Sequence, residues 1–432
     1  MRRAFPGGLR WPSGGFPYHK RIEPLPRPQD LAVPLWHGGR AEVQPGDRVK
    51  PYLLIGYDRE GLPVHAPLGG KVSEVGEFPH LLARPKQFDF PRLTVFIDVD
   101  RKQSEAALPY RPLPRFWELT HQELCRRLLE AGVMDVCHRD LPRMVIHNAL
   151  DLEPPLAASL RLLEERTAEV LEGMRIINQL HGAVRSRIAL ASGFPGLEAR
   201  LRMMLASSVN LSLHVMDPVY PQGHRTLLKK EIFPGDRCSI YDMTDALRVR
   251  EAVVLGRPVV ESHLTVRNCP VDLCRNVTAP VGTPAGHALW SSGDEARPWR
   301  NANPEGRDPP PKLSLPDQAG TLSLIFGGLL SGRGYYSLEM PVQADTRGLL
   351  LVEQKRSGPA PCLNCGACHA RCPSGLHPSE IRRQVSRLDT KRLAELGLDS
   401  CLDCGLCSWV CPSKIELFQQ IEVGRMLLGG RL

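Results

Sequence analysis

No apolar run in these 432 residues approaches the ~18–20 needed to span a bilayer. The longest, around Ile188–Phe194 and Leu322–Leu330, are short and broken by glycine. Met1–Gly15 carries Arg2, Arg3 and Arg10 but no apolar core, so a secretory signal is not expected. There is no block of five or more like charges, and the net charge of +8 is scattered, so a nucleic-acid footprint is not supported. These absences leave a cytoplasmic protein, soluble or peripheral to a membrane, whose cysteines work in a reducing compartment. A basic surface facing anionic lipid or an acidic partner is the alternative to a plainly solvated one.

Cysteine is what the chain has in pattern. Cys362, Cys365, Cys368 and Cys372, followed by Pro373, spell C-x2-C-x2-C-x3-C-P, and the word returns at Cys401, Cys404, Cys407, Cys411 and Pro412. Eight of the thirteen cysteines are thereby used. Short spacing wraps one turn of backbone around a cubane, so three thiolates reach three irons. In two-cluster ferredoxins the fourth cysteine of each run ligates the other cluster. The expected sets are therefore Cys362, Cys365, Cys368 and Cys411 for one [4Fe–4S] cluster, and Cys401, Cys404, Cys407 and Cys372 for the other. Zinc and disulfides are the alternatives, but zinc sites generally use C-x2-4-C pairs without a trailing Cys-Pro.

Length and ordinary globular composition, 42% hydrophobic and 24% charged, allow two to four domains. Residues 1–30 are rich in Pro, Gly and Arg and read as an extended arm. Between 31 and 105, short β-type runs surround Pro45-Gly46-Asp47 and Ala66-Pro67-Leu68-Gly69-Gly70, the pattern of a biotinyl/lipoyl-like barrel-sandwich domain. Such carriers present a modified lysine at a hairpin tip, but Tyr57–Gly61 has none, so the module reads as structural. Residues 110–250 read as α/β, with helical periodicity over Pro114–Gly132 and Pro155–Gly182 and a buried strand at Met144-Val-Ile146. Residues 251–330 read as β-rich, with strands at Val253-Val-Leu255, Val259-Val260 and His263–Val266 and a long loop over 286–320. Residues 345–432 hold both cysteine words with helices at Pro378–Leu388, Thr390–Leu398 and Ile415–Leu428, an α-helical ferredoxin domain.

This order resembles the C subunit of the Rnf (Rsx) electron-transport complex across nearly the whole chain. Carrying the resemblance are His37-Gly-Gly39, Pro63–Pro67 with Gly69–Val72, Asn148–Pro154, Tyr220-Pro-Gln-Gly223 and Gly256-Arg-Pro258 with Leu264-Thr-Val266. Val281-Gly-Thr-Pro284, Ile325–Gly328, Met340-Pro-Val342, both cysteine words and Cys411–Lys414 complete it. The resemblance implies a multidomain α/β and β protein: barrel-sandwich hybrid, flavin/NADH-type α/β domain, SLBB-type β-grasp and α-helical ferredoxin. It also implies a peripheral subunit on the cytoplasmic side, passing electrons between NAD(H) and ferredoxin through FMN and the clusters.

One departure stands out. The family's flavin loop is a G-x-G-G-A-G-F-P-T type segment, whose glycines admit the FMN phosphate. Here Ala131-Gly132 leads through Val133–Pro142 directly to Met144, with no glycine loop; Gly327-Gly328 and Gly332-x-Gly334 lie elsewhere in the sequence. The family's Asn-x-x-Glu-Cys-Glu-Pro survives as Asn148-Ala-Leu-Asp151-Leu152-Glu153-Pro154. Glu153 is then either a flavin/NADH-site remnant or a helix-start carboxylate favoured by the helix dipole. The chain's own NADH:FMN site is expected to be lost or greatly weakened.

The remaining cysteines, Cys125, Cys137, Cys238, Cys269 and Cys274, read as ordinary small residues. A third metal site at Cys269, Cys274 and His263, or a Cys137-His138 nucleophile, are the competing readings. Function follows as an RnfC-like iron–sulfur relay between a redox partner, such as a ferredoxin or a dehydrogenase, and membrane subunits. The alternatives are an FMN-dependent NADH reductase, ferredoxin- or cobalamin-directed, and an assembly subunit with structural clusters.

Overall fold

A computed structural model describes residues 5–11, 16–36, 39–77, 93–100, 102–103, 106–133, 141–150, 153–291, 321–335, 337–354 and 358–429. Two small antiparallel sheets come first. The strands Asp30–Trp36, Leu93–Val99, Gly70–Glu77 and Arg48–Val49 form one, in that order, and Arg40–Ala41, Leu54–Tyr57 and Pro63–His65 the other. Alternating apolar residues point inward from both, so Leu31, Val33, Leu35, Val49, Ile55, Val72, Val95 and Ile97 share one buried core. The hairpin tip is closed by Asp58, whose carboxylate accepts from the N–H groups of Glu60 and Leu62. An Asx turn, not a carrier lysine, occupies it.

The α/β body is a parallel sheet ordered Leu211–Met216, Arg185–Ala191, Met144–Ala149, Ser239–Asp242. Period-two alternation divides its side chains between two layers. Val145, Ala149, Ile188 and Leu190 face one core with the helices His121–Glu130, Thr167–Leu180 and Met243–Arg250. Ile146, Ala189 and Ala191 face the other with Leu228 of the helix Arg225–Ile232. Gly173 lets two helices touch: a Cβ there would lie 1.8 Å from the Ala246 carbonyl oxygen. The strand order reverses between Met144–Ala149 and Ser239–Asp242, and in such sheets the crevice beyond the carboxyl ends at the reversal is the natural ligand position.

A six-stranded mixed sheet follows, ordered Ile22–Pro24, Leu273–Pro280, Glu261–Asn268, Gly348–Gln354, Thr321–Phe326, Arg333–Tyr335. Two boundaries move from those expected. Gly348–Gln354, placed by sequence in the 345–432 domain, is instead an inner strand here, pairing with Glu261–Asn268 on one side and Thr321–Phe326 on the other. Its Leu349-Leu-Leu351 run is buried on both faces, which explains why no alternation announced it. Residues 285–290, expected at the edge of a long loop, form the helix Ala285–Trp290; residues 292–320 lie outside the described set.

Val253-Val-Leu255 is not a strand. It continues the helix Met243–Arg250 as a π-turn over Glu251–Leu255, ended by Gly256 at φ 73°. Glu251, Ala252, Val253 and Val254 are all buried, so tertiary packing overrides the β preference of paired valines. Val259-Val260, also expected as a strand, is not one.

The N-terminal arm is a strap. Leu9 exchanges backbone hydrogen bonds with Tyr220, Gly8 N–H donates to the Arg371 carbonyl at 3.1 Å, and Trp11 meets Trp409 edge-on. It then adds Ile22–Pro24 to the six-stranded sheet, parallel to Leu273–Pro280.

Candidate iron–sulfur centre and the cleft beside it

The two cysteine words fold alike. In the first, Asn364, Gly366 and Gly375 have φ of 51°, 70° and 68°; in the second, Asp403, Gly405 and Lys414 at the matching places have 54°, 68° and 51°. Left-handed residues at these places turn the chain tightly, and such turns aim consecutive backbone N–H groups into one concavity. Each word then starts a short helix, Ala367–Arg371 and Leu406–Trp409.

The words are also crossed. Ser374, two residues after Cys372, donates its hydroxyl to the Ser400 carbonyl at 2.6 Å, immediately before Cys401. Ser413, two after Cys411, donates to the Pro361 carbonyl at 2.8 Å, immediately before Cys362. Ala360 N–H returns a bond to the Ser413 carbonyl at 3.0 Å. The trailing Cys-Pro-Ser of each word is thus tied to the start of the other, where a crossed fourth ligand has to be.

Three helices hold this arrangement: Pro378–Arg387, Thr390–Glu395 and Leu417–Leu428. Ile381, Val385, Leu393, Leu417 and Ile421 pack with Cys368 and Cys407 in one core. Arg425 reaches back from the last helix, donating to the carbonyls of Leu398 and Cys401 and to the Asp403 carboxylate at 2.7 Å.

Burial pushes the Cys401 thiol up to about 11 and the Cys404 and Cys407 thiols up to about 12. The Cys372 side chain adds to the rise at all three, so these four lie within electrostatic reach of one another. Three desolvated thiols whose ionisation is opposed by their neighbours are poor acids alone; a metal cluster bound through thiolates would supply the missing positive charge. The donor set, the turns and the crossing fit an iron–sulfur group. The twelve described cysteines form no disulfide.

Beside the second word lies a cleft of about 220 Å³ at the carboxyl end of the Met144–Ala149 strand, lined in part by Glu153, Tyr220, His224, Ser331, Asp403 and Cys404. Asn148 shapes its rim, donating to the Gly223 carbonyl and accepting from Leu150 N–H. Tyr220 donates its hydroxyl to the Cys404 carbonyl at 2.8 Å. Burial, with the charges of Glu153 and Cys404 nearby, keeps that phenol protonated far above its ordinary range.

Glu153 does not serve the helix start. The N–H groups of Ala157 and Ala158, which open the helix Ala158–Glu165, go to the Thr265 hydroxyl at 2.9 and 3.2 Å. The Glu153 carboxylate instead accepts from Leu330 N–H at 2.7 Å and from Ser331 N–H and Oγ, both at 2.6 Å. Burial raises its pKa, and these bonds oppose the rise. Gly328 is required there: a Cβ would sit 2.1 Å from the Glu153 carboxyl carbon. Gly327-Gly328, remote in sequence from the flavin loop, is therefore in contact with this site in space.

The other expectations resolve simply. Cys238 is buried in the second α/β core, and Cys125 lies 3.4 Å from His121 Nε2, one helical turn away. Cys269 and Cys274 are both near Arg267, whereas His263 hydrogen-bonds Thr278. Among the described residues no three His, Cys, Asp or Glu side chains gather as a single metal ion needs. Cys137, His138, Asp151 and Leu152 lie outside the described residues. Sequence reasoning passed over Tyr220 as a contact of Cys404, Arg425 and the two serines; only the serines, repeated after each Cys-Pro, left a legible signal.

Residues 134–241 match the family described as the Nuo51 FMN-binding domain, and 361–415 the 4Fe-4S dicluster domain. The C subunit of the ion-translocating oxidoreductase complex of Erwinia tasmaniensis is 29% identical over 87% of this chain and 47% of its own length. For the protein of the same name from Serratia proteamaculans the figures are 26%, 87% and 54%, and for that of Rhodobacter capsulatus 26%, 87% and 74%. The chain thus spans about half the length of the first two. Among solved structures, an NAD+-reducing [NiFe]-hydrogenase in the air-oxidized state aligns at a TM-score of 0.45 and 12% identity, covering 75% of this chain and 69% of that one. No helix among the described residues is long and apolar enough to cross a membrane. By sequence the chain is thus similar to the C subunits of ion-translocating oxidoreductase complexes, with a stretch like the Nuo51 FMN-binding domain followed by one like the 4Fe-4S dicluster domain.

Proposed function

We propose that this chain is an iron–sulfur electron-relay subunit of an Rnf-like complex. Two [4Fe–4S] clusters are held, one by Cys362, Cys365, Cys368 and Cys411, the other by Cys401, Cys404, Cys407 and Cys372. The observation that carries this is the crossing of two like-folded cysteine words through Ser374 and Ser413. The clusters supply one-electron steps; the protein buries them, tunes them through groups such as Arg425, and docks their neighbours. The barrel-sandwich and SLBB-type modules act as the frame. The chain sits at the cytoplasmic face of a membrane without crossing it, between a soluble redox protein and membrane subunits.

FMN is not held in this reading. The Glu153 carboxylate is engaged by Leu330 and Ser331, and no glycine loop lies between Gly132 and Met144. A second reading, an FMN-dependent NADH reductase, draws on the match of residues 134–241 to an FMN-binding domain. Anaerobic purification with iron, sulfide and flavin assayed on one sample separates them. About eight irons without flavin is expected. One FMN per chain, with NADH oxidation, overturns the flavin-free relay in favour of the reductase.

A further inference from the structure

The pseudo-symmetry of the two words is broken by what covers them. In the second, Leu402 packs on Phe5, Val219 and Leu227, the Cys404 carbonyl accepts from Tyr220, and Gly405 abuts Leu330 so closely that a Cβ would meet its carbonyl oxygen at 2.2 Å. That loop is docked on the chain's own α/β body. The matching loop of the first word has the same backbone turns, yet Leu363, Asn364, Cys365 and Gly366 are all exposed. Leu363 is 69% exposed, and among the described residues nothing lies within 4 Å of a Cβ built on Gly366.

We infer that the Leu363–Gly366 loop is the outward docking face of the relay, and that its occupant is a resident redox subunit of the same complex. The inference rests on the relay reading above. The inner loop supplies the template of a filled contact: an apolar socket for the leucine, a donor for the second cysteine's carbonyl, and backbone pressed on the glycine. A subunit offering those features brings its own one-electron centre against the first cluster. Charge selects this occupant over a diffusible carrier. The loop Leu363–Gly366 itself holds no Lys, Arg, Asp or Glu, and Asn364 stands where the inner loop has Asp403. Diffusible partners are steered by complementary charge, whereas an uncharged apolar contact suits a partner that stays.

The test uses iron-loaded full-length chain added to membrane vesicles that hold the other subunits of the complex but lack this one. Leu363→Asp is expected to weaken retention about tenfold or more, and Leu363→Ala several-fold. Met203→Asp, at another exposed apolar residue on the helix Pro195–Leu205, is expected to bind as the parent does. Iron content and the EPR spectrum of each variant report whether the clusters are in place. Equal retention of both Leu363 variants, or equal loss with Met203→Asp, overturns the inference. So does retention of the parent chain that collapses with moderate salt, the mark of a charge-steered carrier. A chain that binds no iron overturns the relay reading and this inference together; an iron-loaded chain indifferent to Leu363 overturns the inference alone.

Discussion

The Ser374 hydroxyl donates to the Ser400 carbonyl at 2.6 Å, fastening the end of one cysteine word to the start of the other. Its counterpart, Ser413 to Pro361, makes the tie reciprocal. Ligand sharing between the words can therefore be read from iron counts. Cys372→Ser combined with Cys401→Ser should lose only one cluster, leaving about four irons, because in the crossed assignment both serve the same cubane. Cys372→Ser combined with Cys362→Ser should lose both. If the second pair leaves one cluster intact, the words are self-contained and the crossed assignment fails.

Gly405 and Gly366 occupy equivalent turns with unequal surroundings. Alanine at either incurs the left-handed penalty of roughly 1–2 kcal/mol. At Gly405 the new methyl also runs into the Leu330 carbonyl, whereas at Gly366 it enters open space. Urea unfolding with iron release as the readout should rank Gly405→Ala well below Gly366→Ala. Equal losses would mean that the inner loop is not clamped.

Acid should loosen the body through histidines that burial holds neutral. His147, fully buried in the parallel sheet and bonded through Nε2 to Asn178 at 3.1 Å, is pushed by burial down to about 4; His65, beside Tyr110, also falls to about 4. Both are neutral when folded and bind protons when unfolded near the ordinary value of about 6.5. Their stabilisation is present above that value and is lost as the pH falls from about 6.5 to about 4. Replacing His147 with Gln should remove about one proton from the uptake on unfolding in that window, measured as a shallower pH dependence of the urea midpoint. An unchanged slope would show that His147 is not held neutral.

The cysteine words were legible because ligand spacing is a local property, and the helices around them because their apolar faces recur at helical period. What escaped the sequence is what packing decides. Gly348–Gln354 is apolar on both faces, which hides a strand's period, and Val253-Val-Leu255 is drawn into a π-turn by burial on every side. Glu153 was visible as a retained carboxylate, but its partners Leu330 and Ser331 come from 178 residues away or nearly so. Tyr220 was noticed only as part of a family fragment; its contact with Cys404 spans 184 residues and no periodicity encodes that.

The N-terminal strap has a consequence for how the molecule is made. Gly8 and Arg371, 363 residues apart, bond to each other in both directions. The strap leaves the ribosome long before the cysteine words and must wait for them before it can settle. Contacts of such separation form late, since the chain between them must be ordered first. The joint between the cysteine-rich part and the body thus depends on contacts between the two ends of the chain and can close only after both have been made.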